Sequence, residues 1–177
     1  MRGSRQIQSE NARTPAVRRQ MMLGVRYHRD MATVMAGGGA ERWRTVDRPG
    51  VDVMFVETDD TPASISAAWA QLERILGCCL QGRRFLGTFW PGTSYRASAE
   101  IREGDIPDVL GLDRSVVPGG TYLSVRLRGE PPQLYARIPD AFGRLQAVAA
   151  RDGTRPCIEW YRRRDEVDLL MPVAASV

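Results

Sequence analysis

Two stretches of this chain, about seventy residues apart, follow one plan, and no other feature limits its fold as strongly. Ala68-Trp69-x-x-Leu72-x-x-Ile75 superimposes on Ala141-Phe142-x-x-Leu145-x-x-Val148 at an offset of 73, and Thr88-Phe89-Trp90 aligns with Glu159-Trp160-Tyr161 at 71. Each run reads as strand, helix, strand, strand. In the first, residues 51–57 form a strand with Val51, Val53 and Phe55 on one face. Thr58-Asp59-Asp60-Thr61-Pro62 then reads as a helix start, a capping residue followed by proline near the first helical position. The helix stripe is Ile65, Ala68, Trp69, Leu72, Ile75 and Leu76, ended by Gly77 or Gly82. Residues 84–89 and 95–101 make two more strands about a Pro91-Gly92 turn. The second run has a strand at 121–127 and a helix carrying Leu134, Ile138, Phe142, Leu145 and Val148 inward to Asp152-Gly153. Strands at 156–161 and 167–173 complete it. Residues 103–120, rich in acids, Pro and Gly, read as a connector. The expected fold is α+β, a duplicated β-α-β-β domain with a pseudo-two-fold axis.

Composition narrows the chemistry. The chain has 177 residues, enough for one domain with a real core. All 25 basic residues are arginine, so no lysine exists to form a Schiff base. The single histidine, His28, falls in an N-terminal segment expected to be poorly ordered, which leaves little material for a Ser-His-Asp or Cys-His mechanism. Cys78, Cys79 and Cys157 lack zinc spacing and read as free, buried thiols in a reducing cytoplasm. Residues 1–50 hold 10 Arg against 4 acids, while 51–177 hold 15 Arg against 17 acids. The basicity thus belongs to residues 1–50, a flexible segment containing Gly37-Gly38-Gly39, and the folding part advertises no specific nucleic-acid face. Those glycines lack the context of a phosphate loop. With no long apolar run and no apolar leader, the expectation is a cytoplasmic protein without membrane contact.

One acid stands out. In Arg155-Pro156-Cys157-Ile158-Glu159-Trp160-Tyr161, strand alternation sets Glu159 on one face with Cys157 and Tyr161, and neither face looks wet. Read from the residues alone, Glu159 is either a pocket carboxylate or a surface acid paired with Arg162, Arg163 or Arg164. The run from Arg162 to Glu166 reads as a solvated turn.

Several of these residues carry a resemblance. Pro118-Gly119-Gly120-Thr121-Tyr122, Gly129, Ile158-Glu159-Trp160-Tyr161 and the closing Asp168-Leu169-Leu170-Met171-Pro172-Val173 resemble, in order, the GyrI-like small-molecule-binding domains. These also serve as effector-binding domains of AraC- and MerR-type regulators. The resemblance implies two SH2-like units (residues 51–103 and 118–175 of a domain over 51–175) around a central ligand groove. It implies an aromatic-walled site for flat, often cationic compounds, with Glu159 as its acid. Thr88 is aligned with Glu159 in the first unit, so one acid is expected rather than a pair. The expected wall is Tyr161, Trp90, Tyr95, Tyr122 and Phe55; Trp69 and Phe142 read as core.

The function expected is a stand-alone small-molecule binder, acting by sequestration or as an effector module without cofactor or metal. The resemblance also implies an alternative, a hydrolase of cyclopropane-containing DNA-alkylating compounds, using Glu159 with Tyr161 or Tyr122. A separate protein partner stays open, as does the oligomeric state.

Overall fold

Thr61 sets the start of the first helix: its backbone is extended and its hydroxyl accepts from the Ser64 N–H, with Pro62 at the first helical position. The computed structural model describes residues 42–90 and 93–174. In chain order its elements are β1 (Arg44–Arg48), β2 (Val51–Asp59), α1 (Pro62–Leu76), a 3-10 turn (Gly77–Leu80), β3 (Phe85–Trp90) and β4 (Ser94–Glu100). There follow α2 (Pro107–Leu110), β5 (Asp113–Val117), β6 (Gly120–Arg128), α3 (Gln133–Ala136), α4 (Ile138–Val148), β7 (Cys157–Arg163) and β8 (Glu166–Pro172). His28, the three glycines at 37–39 and the Pro91-Gly92 turn lie outside the described residues.

Among the described residues the strands form one antiparallel sheet in the order β1-β6-β8-β7-β3-β4-β2-β5. The sheet has to curl. β1 and β2 are six places apart, about 29 Å if flat, yet only Pro49-Gly50 joins them, a reach of about 11 Å. Pro118-Gly119 joins β5 to β6 across the same gap.

Alternation then sorts the core into faces. Met54, Tyr95, Ala97 and Ala99 pack under α1 with Ala68, Trp69, Leu72 and Leu76. Val125, Leu127, Val167, Leu169 and Met171 pack under α3 and α4 with Leu134, Phe142 and Leu145. Phe89 and Tyr161 touch both clusters and mark the seam between them. On the other face Val53, Leu86, Val117, Tyr122, Ile158, Trp160 and Leu170 make a third cluster. Each large apolar side chain so buried contributes about 1.5–3 kcal/mol.

The differences from expectation sit at the sheet edges. The connector at 103–120 contains α2 and β5, and β1 lies inside the segment 1–50, whose sequence suggests flexibility. Both edge strands are mostly polar (Arg-Thr-Val-Asp-Arg and Asp-Arg-Ser-Val-Val), so their own patterning is weak and pairing with β6 and β2 forms them. Val148, expected inward, is 59% exposed because the helix ends there and the chain turns extended at Ala149.

Candidate functional site

Glu159 points to the helix-covered face, where its direct strand neighbours are Leu169 of β8 and Gly87 of β3. It is 7% exposed. Its Oε2 accepts hydrogen bonds from Tyr161 at 2.6 Å and from Tyr95 at 2.8 Å. Trp69 Nε1 in turn donates to the Tyr95 hydroxyl at 3.1 Å. One acid, two phenols and one indole from β7, β4 and α1 thus share a chain of hydrogen bonds.

Gly87 makes room for this chain. A Cβ there would lie 2.7 Å from Glu159 Oε2 and closer still to the Tyr95 hydroxyl. Aromatic rings frame the seam. Tyr161 meets Trp69 edge-on at 5.3 Å and Tyr135 at 5.9 Å. Phe89 stacks toward Tyr95 at 6.4 Å and meets Phe142 edge-on at 5.0 Å. Such offset and edge-to-face pairs are the favourable ring geometries.

Burial raises the Glu159 carboxyl above its ordinary value of 4.5, and the Tyr161 and Tyr95 hydrogen bonds offset only part of that. Burial, with Glu159 adding to it, also lifts both phenols well above 10.0. The acid therefore sits in a desolvated setting with neutral hydroxyls as its hydrogen-bond partners. A group so placed favours a proton or an incoming cation.

The surface-pair reading of Glu159 is corrected by this geometry. Arg162 Nε donates instead to Asp168 at 2.9 Å, on the opposite face. Asp168 has no exposed surface and is also gripped by Arg126, at 2.6 and 3.0 Å. Arg48 and Arg162 lie 5.1 and 5.7 Å from the Trp160 ring centre beside it.

Of the expected wall, Tyr161 and Tyr95 join Glu159, whereas Phe55, Trp90 and Tyr122 lie on the other face. Arg96 sits over Phe55 at 4.4 Å and Trp90 at 5.4 Å. Tyr122 is fully buried, with its hydroxyl on the Pro118 carbonyl at 2.6 Å. Trp90 and Thr88 border a separate open groove of about 270 Å³. Thr88 pairs with Ile158, so the cross-strand partner on the face of Glu159 is Gly87. Trp69, read as core, is both core and part of the hydrogen-bond chain; Phe89 and Tyr135 were not singled out. Their signal was the spacing of aromatics in strand and helix, which acquires meaning only with the register. Among the described residues no three His, Cys, Asp or Glu side chains converge as a metal site would, and no helix is long and apolar enough to cross a membrane.

No protein-family model and no curated protein matches the sequence. Solved structures do match its fold. An integron cassette protein from the mobile metagenome of Vibrio cholerae has a TM-score of 0.57 at 17% identity, over 75% of this chain and 95% of its own. SAV2435, bound to tetraphenylphosphonium, has a TM-score of 0.56 at 12% identity, over 76% and 94%. The C-terminal domain of EcmrR has 0.55 at 10% identity, over 78% and 100%. At these identities the likeness is one of fold.

Proposed function

We propose that this chain is a small-molecule binder of the GyrI-like kind, taking hydrophobic, cationic aromatic compounds into the seam beside Glu159. The observation that carries the reading is a buried carboxylate among aromatic rings whose hydrogen-bond partners are neutral. A cation there restores the charge compensation that burial removed, and ring faces add about 0.5–2 kcal/mol of cation–π attraction each. Tyr161 is the half-buried partner of the acid, so its displacement is the natural way in. The companion reading is that β2-α1-β3-β4 and β6-α4-β7-β8 are two copies of one SH2-like unit in a domain over residues 51–175. The placement of β1 beside β6 and of β5 beside β2 supports it.

Tetraphenylphosphonium, present in the SAV2435 structure, is the probe of choice. Titration followed by tryptophan fluorescence should give saturable binding to the wild type. Glu159→Gln should weaken it about 10- to 100-fold, the loss of one desolvated charge contact. Binding to neither protein, or equally to both, would sink the assignment. The hydrolytic alternative draws on the same residues: a carboxylate raised by burial suits a general base, and Tyr161 stands 2.6 Å from it. Mass spectrometry of a strained cyclopropane electrophile after a single turnover decides that point, since unchanged substrate leaves binding alone.

A further inference from the structure

The chain leaves α1 through the 3-10 turn Gly77–Leu80, where Cys78 and Cys79, expected to be buried, are both exposed because the turn lies on the surface. Their Sγ atoms are 3.9 Å apart, in S–H···S contact. The third thiol, Cys157, is buried, and burial pushes it up to about 11. Accessible thiol chemistry among the described residues therefore falls to the adjacent pair.

Neighbouring cysteines resist a direct disulfide. Consecutive Cα atoms are about 3.8 Å apart, whereas disulfides span roughly 4.4–6.8 Å between Cα atoms. Insertion of one atom between the sulfurs relieves that constraint. With sulfur bonds of about 2.3 Å, a separation of 3.9 Å corresponds to an angle of roughly 115° at the bridging atom, near tetrahedral. A pyramidal centre needs the sulfurs a few tenths of an ångström closer, within reach of a small rotation of an exposed side chain.

The turn is held in place from behind. Arg83 Nε donates to the Cys79 carbonyl at 3.0 Å, and the same guanidinium reaches the Glu100 carbonyl at 2.7 Å and Asp105 at 2.6 and 2.9 Å. Beside it lies a mostly apolar depression of about 230 Å³ lined by Leu76, Cys79, Ile106, Val109 and Leu110, with Asp105 also on its wall. Ile106 and Val109 are 58% and 79% exposed, so the depression is open to an incoming aromatic group.

We propose that Cys78 and Cys79 are a chelating site for trivalent arsenicals that carry an aryl group. Arsenic bridges the two Sγ atoms and the ring lies in the depression against Ile106 and Val109. With an arylarsine oxide, two S–H bonds and the arsenic–oxygen bond break, two arsenic–sulfur bonds form, and one water leaves with both thiol protons. Arsenic stays trivalent, so no oxidant or reductant is required. The site is separate from the seam and does not rest on the role of Glu159.

The test uses the full chain with phenylarsine oxide, read by intact-protein mass spectrometry. One phenylarsenic adduct per chain is expected, persisting in excess monothiol and released by 2,3-dimercaptopropanol. Cys78→Ser and Cys79→Ser should each lower retention against monothiol by about 10-fold or more, because chelation is lost. Cys157→Ser and Glu159→Gln should retain the adduct. Arsenite, which lacks the ring, should be held more weakly, and Val109→Asp should narrow that difference. An adduct that survives both single serine substitutions, or no adduct at all, overturns the chelate. Equal retention of arsenite and phenylarsine oxide by the wild type overturns the aryl seat.

Discussion

A buried carboxylate whose hydrogen bonds come from two tyrosine hydroxyls carries a pH signature of definite sign. The Glu159 carboxyl is raised by burial, so its favourable contribution is fully present below the ordinary 4.5 and is lost as pH rises through the folded value. Glu159→Gln removes that titration. Relative to the wild type its melting temperature should climb as pH rises above the ordinary 4.5, as the wild type comes to bury a charge. The affinity of a cationic ligand for the wild type should rise over the same interval, because the ionised acid is the form that attracts it. Thermal melts of both proteins across that range decide the matter; a constant difference in melting temperature would mean that Glu159 ionises freely when folded. At this scale the sequence already pointed to the residue. Alternation put Glu159 with Tyr161 on a dry face, and the structure joins the two. What alternation left open was which face the helices cover. Phe55, Trp90 and Tyr122 were therefore expected beside a site that they back from the far side of the sheet.

Strands behave differently from single residues, since their meaning depends on register. A slip of one residue turns every side chain to the other face. That is how Thr88 came to stand where the pairing puts Gly87, and why the close approach of Tyr95 and Glu159 over a missing Cβ was not legible. β7 and β8 were readable because apolar residues fill both their faces, whereas β1 and β5 exist through their partners. Asp168 ties four of the strands together, from β8 to Arg126 on β6, to Arg162 on β7 and, at 3.8 Å, to Arg48 on β1. Burial alone would raise its carboxyl, but the hydrogen bonds from Arg126 and Arg162 more than offset this and hold it below its ordinary 3.8. Its contribution has the opposite sense to that of Glu159: present above the ordinary value and lost as pH falls through the folded one. Asp168→Asn should leave the guanidiniums without their shared anion. About 1–3 kcal/mol of stability should go near neutral pH, less than for a fully buried pair because Arg126 and Arg162 are a third exposed. Urea melts measure it, and an unchanged midpoint would mean that the arginines find water or other acids equally good.

At the scale of the whole molecule, two short links hold the curled sheet together. The turn at Pro49-Gly50 and the turn at Pro118-Gly119 meet where its two outer strand pairs come round to each other. The contact is backbone on backbone: a Cβ on Gly119 would lie 2.7 Å from both the Arg48 carbonyl oxygen and the Gly50 nitrogen. Neither atom can swing aside as a side-chain tip would, so one link must shift and carry β1 or β2 with it. The Pro-Gly-Gly run was visible in the sequence as a motif, but its reason was not, because the atoms it accommodates lie about seventy residues earlier in the chain. Gly119→Ala should therefore cost about 1–3 kcal/mol, the range for a forced overpacking. Gly143→Ala is the matched control, since it sits within α4 with nothing near its Cβ, and it should stabilise by about 0.5–1 kcal/mol through helix propensity. If the link couples the two halves of the sheet, the Gly119→Ala loss should appear equally in tryptophan fluorescence and in far-ultraviolet circular dichroism, as one transition. Trp69 on the inner side of α1 and Trp160 beside Asp168 report from different faces of the same sheet. Two separated transitions would show that the halves hold together through the β3–β7 pairing alone, and that the links merely accompany the curl.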